Sequence, residues 1–507
     1  MAPADLGSTG GAAAAVAMFQ GYNRVLARPL STAIRGDTVR SGGSSESRCF
    51  VSLTSEELAE ALHLDTTLSA GLGPLSLFRG KSGLQESLHS TTFSISVTVF
   101  ARHISQVTSM TGARLSEGIV PPASEAELDD FVEFYGDSFI STLVEGGEYH
   151  GVYTFYSQTR QEQKDLVKGL AAAGIINGIS IGLDLQKSIS HFLSSAQVNS
   201  SFRQLISGHL DPSYPEPENL IAFAADFGSL PLTDPTVIDM ATTGYESVPG
   251  IGRAFQAVAA NRDHFTGTAF ESGLMNQLAR ISEIRNQMKW VEATYEIHGG
   301  PDDERLIDGL TLTRNDSETI RSQVNAYDRR ATTALAMPPL PSLDLGTPHL
   351  RVSAEQAGPF GGTGGEPFSF MDLDTCLRSR TRISALKLRA GSRVDQLEVT
   401  YAGENGEKVE RHGGMGGSEG STARLREGER ITEVSGRFGS RIDQLTITTS
   451  GGQKVSGGGM GGTHVFRFTP PPGSFIVGFS GRSGSGLDSL VIHTAAFRPA
   501  EWEPLEE

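Results

Sequence analysis

Residues 391–399 read GSRVDQLEV, residues 439–447 read GSRIDQLTI and residues 484–492 read GSGLDSLVI. Their starts lie 48 (439−391) and 45 (484−439) residues apart. In each stretch Gly and Ser mark a turn, and the alternation of Val, Ile or Leu with polar residues marks a strand with one buried face. A second element keeps step: GGTGG at 361–365, GGMGG at 413–417 and GGMGG at 458–462. A repeat of this period means three copies of one supersecondary unit. Three short-stranded copies make a three-sided all-β body.

The repeats carry chemistry. Gly391, Gly439 and Gly484 open the turns, and Asp395, Asp443 and Asp488 stand at the turn-to-strand junctions in a G-x-x-x-D frame. The glycine loops supply Gly361, Gly362, Gly364 and Gly365, then Gly413, Gly414, Gly416 and Gly417, then Gly458, Gly459, Gly461 and Gly462. A carboxylate acceptor beside clustered backbone N–H donors suits vicinal sugar hydroxyls, which both donate and accept. Glycine is needed there because a side chain would hold the ligand off the backbone. The plainer reading, in which Gly makes tight turns and Asp caps them, explains one copy better than three paired copies.

The chain has 507 residues, 38% hydrophobic and 20% charged, with a net charge of −17. It is long enough for more than one core. The acidic balance argues against a nucleic-acid partner and against docking on anionic lipid by charge. No apolar run reaches the ~18 residues of a membrane-spanning helix. The apolar patch at 12–19 follows no basic segment, so it reads as mature chain and not as a signal peptide. Two cysteines, Cys49 and Cys376, exclude a disulfide framework and a Cys-based zinc site and read as small packed side chains. Neither a cofactor nor a metal is expected. Residues 416–420, GGSEG, match G-x-S-x-G, but a nucleophile elbow must open a helix, and here the strand STARL follows. No credible triad appears, so the chain is not read as an enzyme.

Residues 337–349, MPPLPSLDLGTPH, hold four prolines and no helical or strand period, and read as a linker. Residues 1–336 then form one domain, 350–497 a second, and 498–507 an acidic tail.

GPFGGTGGEPFSF, HGGMGG, LREGERITEVSGRFG and IVGFSGRSGSGLDSLVI together resemble a jacalin-related lectin domain over about 350–495. The resemblance implies a β-prism of three Greek-key sheets. It pairs the 361–365 loop with Gly484–Asp488, the 413–417 loop with Asp395 and the 458–462 loop with Asp443. The first glycine loop lies inside the chain, which implies a mannose-type site. The position two before the aspartate is often aromatic in that family; here it is Arg393, Arg441 and Gly486.

In the first region, ASEAELDDFVEF reads as a helix with acidic residues early, where the helix dipole favours them. The strand-like EYHGVYTFYS comes after Gly146-Gly147. Taken alone, that glycine pair reads as a hairpin turn; within a strand it marks a bend or a close backbone approach. TFSISVTVF at 92–100 alternates strictly, with Phe93, Ile95, Val97 and Val99 on one face. The flanking segments, 53–90 and 161–208, allow helix and strand alike, and 176–185 (INGISIGLDL) also fits period two. Leu274, Leu278, Ile281, Ile284, Met288, Val291 and Tyr295 form the stripe of an amphipathic core helix.

Tyr135-Gly136-x-x-Phe139, followed by Gly146-Gly147, resembles the signature of the membrane-attack-complex/perforin (MACPF) family, with Asp137 and Ser138 in place of that family's Thr or Ser and His. The resemblance covers roughly 15–336. It implies an α+β domain with a bent central antiparallel sheet and two flanking helical clusters that unfurl into transmembrane hairpins, the glycine pair being the bend that opens. A membrane strand needs only ~9–11 residues, and an inserted sheet must close on itself. A homo-oligomeric ring formed from a soluble monomer is therefore required, with Phe93, Ile95, Val97 and Val99 as the lipid-facing candidates.

The expectation is a glycan-targeted pore-forming protein, released soluble without a recognisable signal peptide and acting at a target-cell membrane. A non-lytic carbohydrate-binding adhesion or recognition protein on the same scaffold is the alternative.

Overall fold

The computed structural model describes residues 4–5, 16–64, 79–88, 90–157, 159–181, 185, 187–189, 191–192, 199–210, 212–267, 273–370, 373–378, 381–403 and 406–504. The chain divides into two compact units, one of 2–287 and 309–347, the other of 288–308 and 348–503.

The first unit is built on an antiparallel sheet. In chain order its main elements are β1 (Ile34–Ser41), β2 (Ser44–Ser52), α1 (Ser55–Ala61), α2 (Arg79–Ser87), β3 (Ser94–Leu115), α3 (Glu125–Tyr135), β4 (Ser138–Tyr156), α4 (Arg160–Ala172), β5 (Asn199–Ser207), α5 (Leu220–Asp226) and β6 (Thr236–Gly244). The long strands β3 and β4 lie side by side at its centre. On the outer side of β3, β2 pairs with its first half and β1 with its second. On the outer side of β4, β6 pairs with its first half and β5 with its second. The helices α1, α3 and α4 each start on a hydroxyl cap, Thr54, Ser124 and Thr159, whose oxygen accepts an N–H from the first turn.

Gly146 and Gly147 are not a turn. They lie within β4, and the ladder breaks along one line through them. β1 and β2 are separated at Gly42-Gly43, β3 carries a register shift between Ile104 and Gln106, and the partner of β4 changes from Ser207 to Thr236. Backbones approach closely along this line. A Cβ added to Gly43 would lie 2.1 Å from the Ile104 carbonyl oxygen, and one on Gly146 would lie 2.1 Å from that of His103. Gly208 has φ +83°, and its Cβ would meet the Gly147 Cα at 2.5 Å. Only glycine fits such contacts, so glycines mark the seam at three of the four strand positions and the Ile104–Gln106 register shift marks it in β3.

Both faces of the sheet are covered. Ile95, Val97 and Val99 share a core with Tyr149, Tyr153, Phe155, Leu170 of α4 and Leu220, Ile221 and Ala224 of α5. Phe93 is fully buried. Leu58 and Ala59 of α1 and Leu84 of α2 pack on the opposite face with Val152 and Leu205. Ser94, Ser96 and Thr98 point to that second face and are buried too. The alternation at 92–100 therefore describes a strand covered on both sides. In the stretches that read as helix or strand, α1, α2 and α4 are helical and Ile179–Ser180 is a short strand. Residues 65–78, 89, 182–184, 186, 190 and 193–198 of them lie outside the described residues, as does 12–15 of the early apolar patch.

At the signature, Gly136 caps α3 with φ 84°. The Asp137 carboxylate is buried and accepts from the Arg24 N–H and from the Tyr327 hydroxyl at 2.9 Å. The Ser138 hydroxyl donates to the Tyr22 carbonyl, and Phe139 sits in the core. Burial raises the Asp137 pKa despite the opposing Arg262 charge and these donors.

The helices Gln256–Thr266, Leu274–His298 and Glu304–Arg329 follow in chain order. The stripe from Leu274 to Tyr295 is buried throughout. Residues 288–308, read as first-domain sequence, group with the second unit. There the Tyr295 hydroxyl donates to the Arg498 carbonyl at 3.0 Å, Asp303 accepts from the Ala500 N–H at 2.8 Å and His298 stacks on Phe475.

The second unit holds three four-stranded sheets. The first joins β7 (Thr347–Gly361), β18 (Leu487–Glu503), β17 (Ser474–Ser483) and β8 (Glu366–Phe368), in that order. The second is β11 (Gly406–Gly413), β10 (Val394–Gly403), β9 (Arg382–Ala390) and β12 (Ser418–Arg424). The third is β15 (Lys454–Gly458), β14 (Ile442–Thr449), β13 (Ile431–Phe438) and β16 (His464–Phe468). Val394, Leu397 and Val399 meet Ile442, Leu445 and Ile447 and Leu487, Leu490 and Ile492 in one core. Two boundaries differ from the sequence reading. β7 starts inside the stretch read as a linker, where Pro341–Asp344 is a 3-10 turn, and β18 runs through the supposed tail to Glu503. Ser418 of the G-x-S-x-G match opens strand β12 and no helix.

Candidate carbohydrate-binding rim

Each aspartate sits on a β-bulge. The strand pairing steps from Arg389–Gln396 to Ala390–Val394, from Arg437–Gln444 to Phe438–Ile442 and from Arg482–Ser489 to Ser483–Leu487. Asp395, Asp443 and Asp488 are the skipped residues. A bulge frees its extra residue from the ladder and re-aims the side chain. All three carboxylates are turned onto a glycine loop.

The loop that each one meets is the expected partner. The N–H groups of Gly362, Gly414 and Gly459 donate to the carbonyls of Asp488, Asp395 and Asp443 at 2.9, 2.8 and 2.9 Å. An added Cβ on Gly364, Gly416 or Gly461 would strike the matching Oδ1 at 2.9, 2.8 or 2.5 Å. The first and last glycine of each loop have positive φ: Gly361 and Gly365, Gly413 and Gly417, Gly458 and Gly462. The turn glycines Gly391, Gly439 and Gly484 donate to the carbonyls of Arg393, Arg441 and Gly486. The result is a carboxylate facing a glycine backbone at each of the three rims.

Sequence reading missed what holds these loops. Arg389, Arg437 and Arg482 stand two residues before the turn glycine in each copy. Arg482 donates to the carbonyls of Gly364 and Gly365 at 3.0 and 2.7 Å, and Arg437 to Gly461 and Gly462 at 3.1 and 3.2 Å. Arg389 reaches the Met415, Gly416 and Gly417 carbonyls. With its carbonyls taken by a guanidinium, a loop keeps one shape. The repeated R-x-G-S-x-x-D spacing was the available signal. The loop tips Met415 and Met460 are 75% and 78% exposed, which places an apolar group beside each of two carboxylates.

In the first unit, Tyr135, Gly136, Phe139, Gly146 and Gly147 lie at the foot of β4 and along its length. Phe93, Ile95, Val97 and Val99 are core residues in the described state and none reaches the surface. Beside Gly147 lies an ion cluster that sequence reading did not collect. Glu148 is fully buried and accepts from Lys81 of α2 at 2.6 Å, from Arg102 of β3 at 2.6 Å and from His150 at 3.3 Å. Burial works to raise the Glu148 pKa; Lys81, His150 and Arg102 outweigh it and hold the carboxyl below the usual carboxylate range. Burial lowers the pKa of both neighbouring imidazoles, His150 and His63, the latter to about 3. Among the described residues no group of three or more His, Cys, Asp or Glu is placed to hold a metal.

Residues 357–493 match the model of the jacalin-like lectin domain. No curated protein matches the chain. Among solved structures the chain is similar to Malaysian banana lectin, at 25% identity over 29% of this chain and 99% of that one, with a TM-score of 0.25. It is also similar to a mannose-binding jacalin-related lectin from Ananas comosus, at 22% identity over 28% of this chain and 96% of that one, with a TM-score of 0.24. A third is artocarpin, in a complex with mannotriose, at 24% identity over 28% and 97%, with a TM-score of 0.24.

Proposed function

We propose that this chain is a glycan-targeted pore-forming protein. Its β-prism binds cell-surface carbohydrate, mannose-type by preference, and several weak sites gain by avidity. Its first unit belongs to the MACPF type: bound monomers assemble into a ring, the two helical clusters leave the sheet, and their hairpins enter the membrane. The protein is released soluble, acts at the target membrane, and no reaction is ascribed to it.

The observation that carries the membrane half is the seam. Four strand positions run β1/β2, β3, β4, β5/β6; α1 and α2 lie between the first and second, and α4 between the third and fourth. The ladder breaks at one level across all four, at glycines in three of them and at the Ile104–Gln106 register shift in β3. A sheet hinged at a single level can change its curvature without losing its central pairing. The carbohydrate half is supported by three bulged aspartates on three glycine loops within the matched lectin domain.

The test is dye release from liposomes with and without mannosylated lipid. Release that depends on the glycan, with ring-shaped assemblies on the membrane, is expected. Binding without release at any protein concentration overturns the pore reading. That outcome would favour a non-lytic recognition protein, a reading aided by one observation: the best-alternating segment, 92–100, is already committed to the soluble sheet with both faces buried.

A further inference from the structure

The three rims share their glycine loops but differ in what faces the aspartate. Each GSxxD turn borders the loop of another copy. A Cβ on Gly362 would meet the Ser440 carbonyl oxygen at 2.4 Å, one on Gly414 that of Ser485 at 2.6 Å, and one on Gly459 that of Ser392 at 2.7 Å. The residue after each serine is thus placed to reach a neighbouring rim. Arg441 does so: its Nε lies 3.3 Å from Oδ1 of Asp488. Gly486 holds the same place in the third copy and has no side chain to send toward Asp395. Arg393 fills the gap. Its Nε lies 3.4 Å from Oδ1 of Asp395, and a Cβ on Gly486 would come within 3.3 Å of that nitrogen. By the threefold pattern Arg393 belongs at Asp443, because Ser392 borders the Asp443 loop. Its turn toward Asp395 leaves Asp443 bare: among the described residues no cationic group lies within ion-pair distance of it. Exposure follows suit. Asp395 and Asp488 are 6% and 4% exposed, whereas Asp443 is half-buried.

We propose that the prism carries two kinds of sugar site, an open one at Asp443 for a neutral hexose and two arginine-capped ones at Asp395 and Asp488 for a sugar bearing a carboxylate or sulfate, with Gly486 setting the difference. This rests on the carbohydrate reading above and deepens it by ligand class. A neutral pyranose binds by donating hydroxyl protons to the carboxylate, and a guanidinium standing on Oδ1 competes for the same lone pairs. An anionic substituent reverses the preference. Contact through Nε leaves the Nη atoms of Arg393 and Arg441 to form a fork that matches carboxylate and sulfate oxygens. Without those arginines, a chain of net charge −17 would repel such a ligand.

The experiment uses the full chain and calorimetric titration with methyl α-mannoside, a methyl glucuronide and a sulfated methyl galactoside, with near-UV circular dichroism to show that each variant is folded. Asp443→Ala should lower mannoside affinity about tenfold or more and leave the acidic sugars unchanged. Arg393→Ala with Arg441→Ala should do the reverse. Gly486→Arg occupies the place that Arg393 fills, returns Arg393 to Asp443, and should weaken mannoside binding about tenfold with Asp443 intact. Acidic binding in either the carboxylate or the sulfate arm supports the assignment. Mannoside binding that survives Asp443→Ala overturns it, and so does acidic binding indifferent to the arginine pair. A wild-type chain that binds mannoside but neither acidic sugar overturns the two-class assignment and leaves the carbohydrate reading standing. One that binds none of the three overturns both.

Discussion

Lys81→Met tests whether the buried ion cluster fastens α2 to the sheet. The Lys81 side chain is 6% exposed and the Glu148 side chain 0%. The Lys81 Nζ lies 2.6 Å from Glu148 Oε2 and donates to the Ile238 carbonyl at 2.8 Å. Methionine keeps the stem and removes the charge. Arg102 would stay on Oε1, leaving Oε2 with the His150 contact at 3.3 Å. Breaking a buried pair costs about 3–5 kcal/mol, and the retained Arg102 puts this case near the lower figure. About 3 kcal/mol is roughly a hundredfold in an opening equilibrium. Hydrogen exchange of the full chain at pH 7.5 should therefore show residues 79–88 losing about a hundredfold in protection. The double variant Lys81→Met, Glu148→Gln should recover only part of it, since buried Arg102 then keeps the partly exposed Asp239 at 3.4 Å but loses its Glu148 pair. If Lys81→Met leaves both the exchange of 79–88 and the thermal midpoint at their wild-type values, the cluster does not hold the helix and the argument fails. Under the proposed function, the same variant should also release dye faster at equal membrane binding.

Acid should loosen the same region. His63 is held neutral with a pKa near 3 in the fold, against about 6.5 when freed. Its contribution to stability is complete above pH 6.5 and drains away as pH falls toward 3, about 2 kcal/mol being lost by pH 5; melting midpoints at pH 7.5 and 5.0 should differ, and less so in His63→Asn, a residue that tolerates the φ of 53° found there. Gly147→Val places a branched side chain where a Cβ alone would meet Leu232 Cδ2 at 2.7 Å and the Ser207 carbonyl oxygen at 2.8 Å; dye release should fail while mannan binding persists, and survival of both would make the seam irrelevant to insertion. Arg437→Ala strips two donors from the 458–462 loop and should weaken sugar binding at Asp443 about tenfold, read by titration against an unchanged fold. Cys49 is buried, with its thiol pushed up to about 12, so the native protein should resist maleimide at pH 7.5 and react when unfolded.

The prism was legible because it is written three times: a pattern in three copies at one register leaves little room for chance, and the strand faces follow it, whereas the loop-to-aspartate pairs come from the resemblance to jacalin-related lectins. The bulge was not legible, because alternation alone does not show that Asp395 is skipped by its partner strand. Gly146-Gly147 read locally as a turn because its reasons lie elsewhere. Gly43 and Gly208, one about a hundred residues before it and one about sixty after, complete the seam. The ion cluster had no local signal at all: Lys81, Arg102 and Glu148 each look like ordinary surface charge until the sheet brings them together. The helix 274–298 shows the same limit. Its apolar stripe is plain, but a stripe does not name the partner that covers it, and the segment from Met288 onward groups with the prism.

The first sheet of the prism closes with β7 against β18, the domain's opening strand against its final one. This sets an order of events during synthesis. The second and third sheets are each written contiguously, from Arg382 to Arg424 and from Ile431 to Phe468, and can pair while the ribosome is still at work. The first cannot: β7 must wait for more than a hundred further residues before its partner emerges, and pairing over such sequence separation is slow. A nascent chain stalled before Leu487 would hold two finished walls and one open seam, with Leu490 and Ile492 missing from the shared core. The Asp488 rim would then be the last of the three to exist.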